Sequence, residues 1–141
     1  MATTIQLDVV SAESSLFSGE VVEIFAPGEM GDLGIMPRHT QLITTLKAGE
    51  LRYVTKEDES ASLFVAGGIM EVQPHIVTVL ADTAIRAKDL DAEAAEAAKQ
   101  RAEDALQGKD PEDLDYEAVQ AELDAAKAQI EMIHRIGKTL R

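Results

Sequence analysis

Three histidines, a glycine-rich stretch and a large excess of carboxylates are the residues of this sequence with chemistry to offer. His39, His75 and His134 stand far apart, without the short spacings that gather metal ligands. His39 follows Met36-Pro37-Arg38, His75 follows Pro74, and His134 falls in a helical stretch, so each reads as a surface hydrogen-bonding residue. Gly28, Gly31 and Gly34 do not form a phosphate loop, since no Lys-Ser or Lys-Thr follows them. Glu29 and Asp32 lie inside that stretch and would repel a phosphate, so the glycines read as backbone positions needing unusual dihedrals. No Gly-x-Ser-x-Gly elbow occurs, and no carboxylate pair sits in an apolar setting that would raise a pKa for acid–base work. With no cysteine there is no thiol nucleophile and no disulfide frame. The residues therefore predict no catalytic residue, no metal site and no cofactor: the chain is not an enzyme.

The elements that would carry those residues change character near Lys88. From residue 3 to 86, short apolar alternations (Ile5, Leu7, Val9; Leu51, Tyr53, Thr55) recur about every ten residues between Gly and Pro breaks. That pattern predicts a β-sandwich or barrel over 1–88. Aromatic residues make up only 4% of the chain, so aliphatic side chains must supply its core. From Asp89-Leu90-Asp91 onward the pattern is helical, with carboxylates placed to cap the first turn. Gly108-Lys109-Asp110-Pro111 interrupts it, and Asp113-Leu114-Asp115 opens a second helix that runs towards Lys138. Two helices joined by a short loop predict an antiparallel hairpin over 89–141.

The two helices are unequal. The second carries Val119, Leu123, Ala126, Ile130, Ile133, Gly137 and Leu140 at alternating spacings of four and three, a coiled-coil-like seam. The first offers Ala95, Ala98, Ala102 and Ala105 on one face, and alanine buries little area. Two readings of this mismatch stand side by side. In one the seam packs permanently on the sandwich; in the other the arm can leave and dock on a partner.

Charge narrows the partners. The net charge is −13, which makes nucleic-acid binding and direct docking on anionic lipid unfavourable. Residues 89–124 hold 13 acids against 3 bases, whereas 125–141 hold one acid against Lys127, Arg135, Lys138 and Arg141. That basic tip complements either a helix dipole or an acidic partner surface. No run of about 20 apolar residues is present, and the N-terminal residues lack the features of a signal or transit peptide.

Two longer segments carry a family resemblance. They are Gly28-Glu29-Met30-Gly31-Asp32-Leu33-Gly34-Ile35-Met36-Pro37-Arg38-His39 and Gly67-Gly68-Ile69-Met70-Glu71-Val72-Gln73-Pro74. With Leu7-Asp8-Val9-Val10-Ser11-Ala12-Glu13 near the start, they resemble the epsilon subunits of bacterial F-type rotary ATP synthases. The resemblance implies a ten-stranded sandwich (1–88) that assembles with the gamma subunit and the c-ring, followed by a two-helix regulatory arm (89–141). It implies a non-catalytic rotor subunit that helps couple proton translocation to ATP synthesis, at the cytoplasmic face of the bacterial inner membrane. The arm would act as an intrinsic inhibitor of ATP hydrolysis by reaching the alpha and beta subunits. Asp32 falls in the family's c-ring-facing loop, and His39 in its gamma-facing loop. Ile130, Ile133 and Leu140 on the seam, with Arg135, Lys138 and Arg141 at the tip, would make the arm's contact. Arg38 departs from the family, many members of which have glycine there. The nucleotide motif at the start of the first helix is degenerate: Asp91 and Arg101 remain, but Ala94 replaces its arginine, so the implied ATP affinity is weak or nil. A free-standing, ligand-sensing sandwich regulator is the alternative to this reading.

Overall fold

Alternation along each strand decides which face turns inward. The computed structural model describes residues 3–139, with side chains as far as Gly137. In β1 (Ile5–Ser11), Ile5, Leu7 and Val9 are buried, while Gln6, Asp8 and Val10 take the opposite face. The other strands are β2 (Ser15–Gly28), β3 (Gly31–Ile35), β4 (Leu42–Thr45), β5 (Gly49–Thr55), β6 (Ser60–Val72) and β7 (Ile76–Arg86). They follow the order β1-β7-β6-β5-β2-β3, with β4 added to β6 and β1 returning to β2. That return closes the sheet on itself. All pairings are antiparallel except β1 with β7.

The expected ten strands are seven continuous ones, and the reason is that three of them change partners partway. β2 pairs with β1 as far as Val21 and then passes, through an irregularity between Val21 and Glu23, to β5 and β3. β6 pairs with β5 over Ser60–Val65 and with β4 over Ile69–Val72. β7 leaves β1 after Ala81 yet stays on β6 to Arg86. Gly67-Gly68 is therefore not a break between strands: it is the place where β6 bends, with φ of +75° and +127°.

The core is aliphatic, as the low aromatic content requires. Leu7, Ile24, Leu51, Val65, Met70 and Val79 are all fully buried in one cluster. Each such side chain contributes about 1.5–3 kcal/mol relative to exposure. Phe17 and Tyr53 stack at its margin, ring centroids 4.3 Å apart, and burial raises the Tyr53 pKa above that of a free phenol.

Residues 89–141 form a second compact unit. A 3-10 turn at Ala87–Asp89 leads to α1 (Ala92–Leu106), and α2 spans Tyr116–Thr139. Asp91 caps α1, its carboxylate accepting the Ala94 amide at 3.2 Å. Gly108, at φ +77°, ends that helix. The connection is then tied by Lys109, whose ammonium lies 2.9 Å from Asp115. α1 and α2 pack on each other, and Ala95, Ala102, Leu123 and Ala126 are buried. Val119, Ile130 and Ile133 of the seam are half-buried, and Gly137 is exposed. Met132, outside that seam, is fully buried.

Candidate functional site

The outward face of the sandwich holds what the inward face cannot explain. Ile43, Ile69 and Leu80 are 69%, 46% and 55% exposed. They are neighbours by register. Thr45, Ile69, Leu80 and Val10 stand opposite one another across β4, β6, β7 and β1. The adjoining row is Ile43, Glu71, Thr78 and Asp8. Residues directly opposite in a sheet point to the same side, so the two rows make one apolar strip with a polar margin.

The margin is built and internally satisfied. Ser18 donates to Asp8 Oδ1 at 2.7 Å, and Gln6 Nε2 donates to the same oxygen at 2.9 Å and to Ser18 at 3.1 Å. The bond from Gln6, and next that from Ser18, hold the Asp8 carboxyl below its ordinary pKa. A depressed carboxylate stabilises the fold above its unfolded-state pKa, and that contribution is lost as pH falls through the lower, folded value.

Two loops flank the strip. Between β3 and β4, the Arg38 amide donates to Pro74 O at 2.9 Å, which ties this loop to the turn between β6 and β7. His39 is half-buried, with Nδ1 2.7 Å from Thr40 O; as the Nδ1–H tautomer it donates there. His75 and His134 are exposed, and no group of His, Asp and Glu among the described residues is arranged to hold a metal ion. Asp32 is exposed on β3 opposite Pro27, beside the β2–β3 turn where Met30 is 95% exposed. The turn is braced by a Glu29 amide bond to Thr45 O at 3.0 Å and a short bond from the Thr45 hydroxyl to the Glu29 carboxylate.

In the helical unit, Asp91 is occupied as the cap of α1, and Arg101 is exposed ten positions further along. At about 1.5 Å per residue, roughly 15 Å of helix separates the two, too far to grip one phosphate together. A titration of the chain with ATP should show no saturable binding in the low micromolar range, and Ala94→Arg should strengthen whatever binding there is. Low-micromolar affinity in the unaltered chain would contradict the motif argument. Arg135 is exposed on α2. Leu140, Arg141 and the Lys138 side chain lie outside the described residues.

Ile43, Ile69 and Leu80 were missed by strand periodicity, although a signal exists. Ile43 and Leu80 follow an inward-facing apolar residue (Leu42 and Val79) and Ile69 precedes one (Met70), so an apolar side chain occupies a position where alternation calls for a polar one. Such substitutions on adjacent strands form a patch only once register is known.

Comparison with known proteins assigns the chain as a whole. Residues 4–87 match the family described as the ATP synthase delta/epsilon chain β-sandwich domain, and residues 88–134 match its long α-helix domain. The ATP synthase epsilon chain of Nitrosococcus oceani is 58% identical over 140 residues, covering 99% of both chains. That of a Janthinobacterium species is 55% identical over 137 residues, covering 96% of this chain and 97% of its own. Among solved structures, a chain of the Euglena gracilis mitochondrial ATP synthase superposes with a TM-score of 0.72 at 18% identity, over 98% of this chain and 82% of that one. A chain of the Tetrahymena thermophila mitochondrial ATP synthase central stalk and c-ring gives 0.67 at 14% identity, over 93% and 97%. The fold is shared at that distance, and the sequence matches extend through both units: the chain belongs to the delta/epsilon chain family of the ATP synthases.

Proposed function

We propose that the chain works as a non-catalytic stalk subunit of a proton-driven ATP synthase at the cytoplasmic face of a bacterial inner membrane. Its sandwich docks on the gamma subunit through the strip of Ile43, Ile69 and Leu80, with the loop of His39 at the edge of the contact. The Met30–Asp32 turn meets the c-ring. The helical unit is the regulatory arm, whose seam and basic end contact the alpha and beta subunits and restrain ATP hydrolysis.

The exposed strip is the observation that carries the docking half of this reading. Isolated exposed aliphatics are ordinary, but neighbouring ones on three strands with a polar rim mark a contact surface. The family membership supplies the partner. No helix among the described residues is long and apolar enough to cross a membrane, so attachment through other subunits supports the membrane-facing placement.

Leu80→Asp tests it. A carboxylate centred in a desolvated strip should weaken the complex with the gamma subunit by about 2 kcal/mol, some thirtyfold. The sandwich should still fold, because Leu80 lies outside the core cluster. Unchanged co-elution with gamma at concentrations near the dissociation constant would remove the strip from the interface.

A further inference from the structure

Two described residues other than glycine have positive φ, Asp58 at 68° and Arg38 at 67°. Asp58 sits in a tight turn, Thr55 to Glu59, and its short acidic side chain tolerates the left-handed region well. Arginine has no such excuse. Its long side chain forms no local hydrogen bond that would offset the crowding between Cβ and the backbone. The loop itself needs the conformation: the Arg38 amide reaches Pro74 O and the His39 amide reaches Met36 O at 3.2 Å. Glycine would hold this backbone with less strain, so the arginine side chain carries a conformational cost that the loop does not require.

The side chain gives no intramolecular reason either. Arg38 is exposed, and no hydrogen bond, ion pair or ring contact engages its guanidinium among the described residues. Its place in the fold is specific. The bond to Pro74 sets its backbone at the β6–β7 turn, beyond the Ile43–Glu71–Thr78 row that borders Ile69 and Leu80. Met36, two residues earlier, is 45% exposed.

We infer that Arg38 is a specificity residue of the docking surface: a cation held at the end of the apolar strip to pair with a carboxylate on the gamma-type subunit. The inference rests on the docking reading above and adds the chemistry of one rim contact. An apolar strip gives adhesion with little discrimination, whereas a charge at its edge fixes register and rejects partners with a like charge there. Guanidinium suits the role because it binds a carboxylate through two parallel hydrogen bonds.

A strained functional residue has a recognisable signature: removing it moves stability and affinity in opposite directions. The full-length chain with Arg38→Gly should melt about 2–4 °C higher than the unaltered chain, as the backbone strain is relieved. Its affinity for the purified gamma subunit of the same synthase should fall about fivefold at low salt. Arg38→Glu should weaken the complex further. Arg38→Lys should retain part of the affinity, and the salt dependence of binding should be shallower in the glycine variant than in the unaltered chain. An Arg38→Gly chain that binds gamma with unchanged affinity and salt dependence would overturn this inference and leave the docking reading standing. Failure of the unaltered chain to bind gamma at all would overturn both.

Discussion

Gly68→Ala should destabilise the sandwich by about 3 kcal/mol, although it adds a single methyl group. Two costs combine at this position. The backbone φ is +127°, a region that side chains with a Cβ rarely adopt. A Cβ there would also run into the Leu80 carbonyl oxygen and approach the Ala81 Cα to 2.9 Å. Both are backbone atoms of β7 and cannot swing aside as a flexible side chain would. The strand pair must separate locally, and the bond from the Leu46 amide to Gly68 O is at risk with it. For a unit of this size, each kcal/mol is worth about 4–8 °C, so the melting temperature of the sandwich should drop by more than about 10 °C. Gly31→Ala is the control. Gly31 also has a positive φ, +136°, but a Cβ there meets nothing within 4 Å, so only the conformational cost of roughly 1 kcal/mol applies. Equal losses from the two substitutions would show that close approach of β6 to β7 is not what Gly68 permits. The effect also reaches function: Gly68 pairs with Ala81, one step from the Ile69–Leu80 row, so a displaced β6 would distort the strip.

What could be read in the sequence divides along physical lines. Period-two alternation depends only on neighbours in the chain, so β1 and β5 were legible from Ile5-Leu7-Val9 and Leu51-Tyr53-Thr55. The change to helical spacing at Asp89 was equally local, as were the cap at Asp91 and the stop at Gly108. The continuity of β6 was not legible, because Gly67-Gly68 reads as a turn until the pairing of Ala66 with Thr83 and Gly68 with Ala81 is known. β3 was hidden too: Gly31-Asp32-Leu33-Gly34-Ile35 has little strand propensity and is held by pairing to β2. The exposed strip was hidden for a related reason, since Ile43, Ile69 and Leu80 come from three strands whose register is a long-range property. The roles given to His39 and Asp32 rest on resemblance; Asp32 is exposed near the start of β3, and His39 is half-buried in the loop between β3 and β4. Met132 escaped because the seam was assigned by a heptad-like spacing that leaves it out, yet its side chain is fully buried.

The proposed function divides the labour: residues 1–88 would assemble and residues 89–141 would restrain hydrolysis. The sandwich core cluster draws every member from positions 5 to 81, so removing the helices leaves that cluster complete. The docking strip and the Met30–Asp32 turn also lie entirely within the retained part. α1 buries only Ala95 and Ala102, whereas α2 buries Leu123, Ala126 and Met132, so α1 contributes little of the helical unit's buried apolar area. If the arm holds about nine in ten complexes in a blocked state, its removal should raise hydrolysis roughly tenfold. The decisive measurement is ATP hydrolysis by the reconstituted synthase carrying either the full chain or a chain ending at Lys88, each at full occupancy of the gamma subunit. A faster rate with the truncated chain, and retained ATP synthesis, is the predicted result. Equal rates at equal occupancy would contradict the account and leave the helices as a permanent brace.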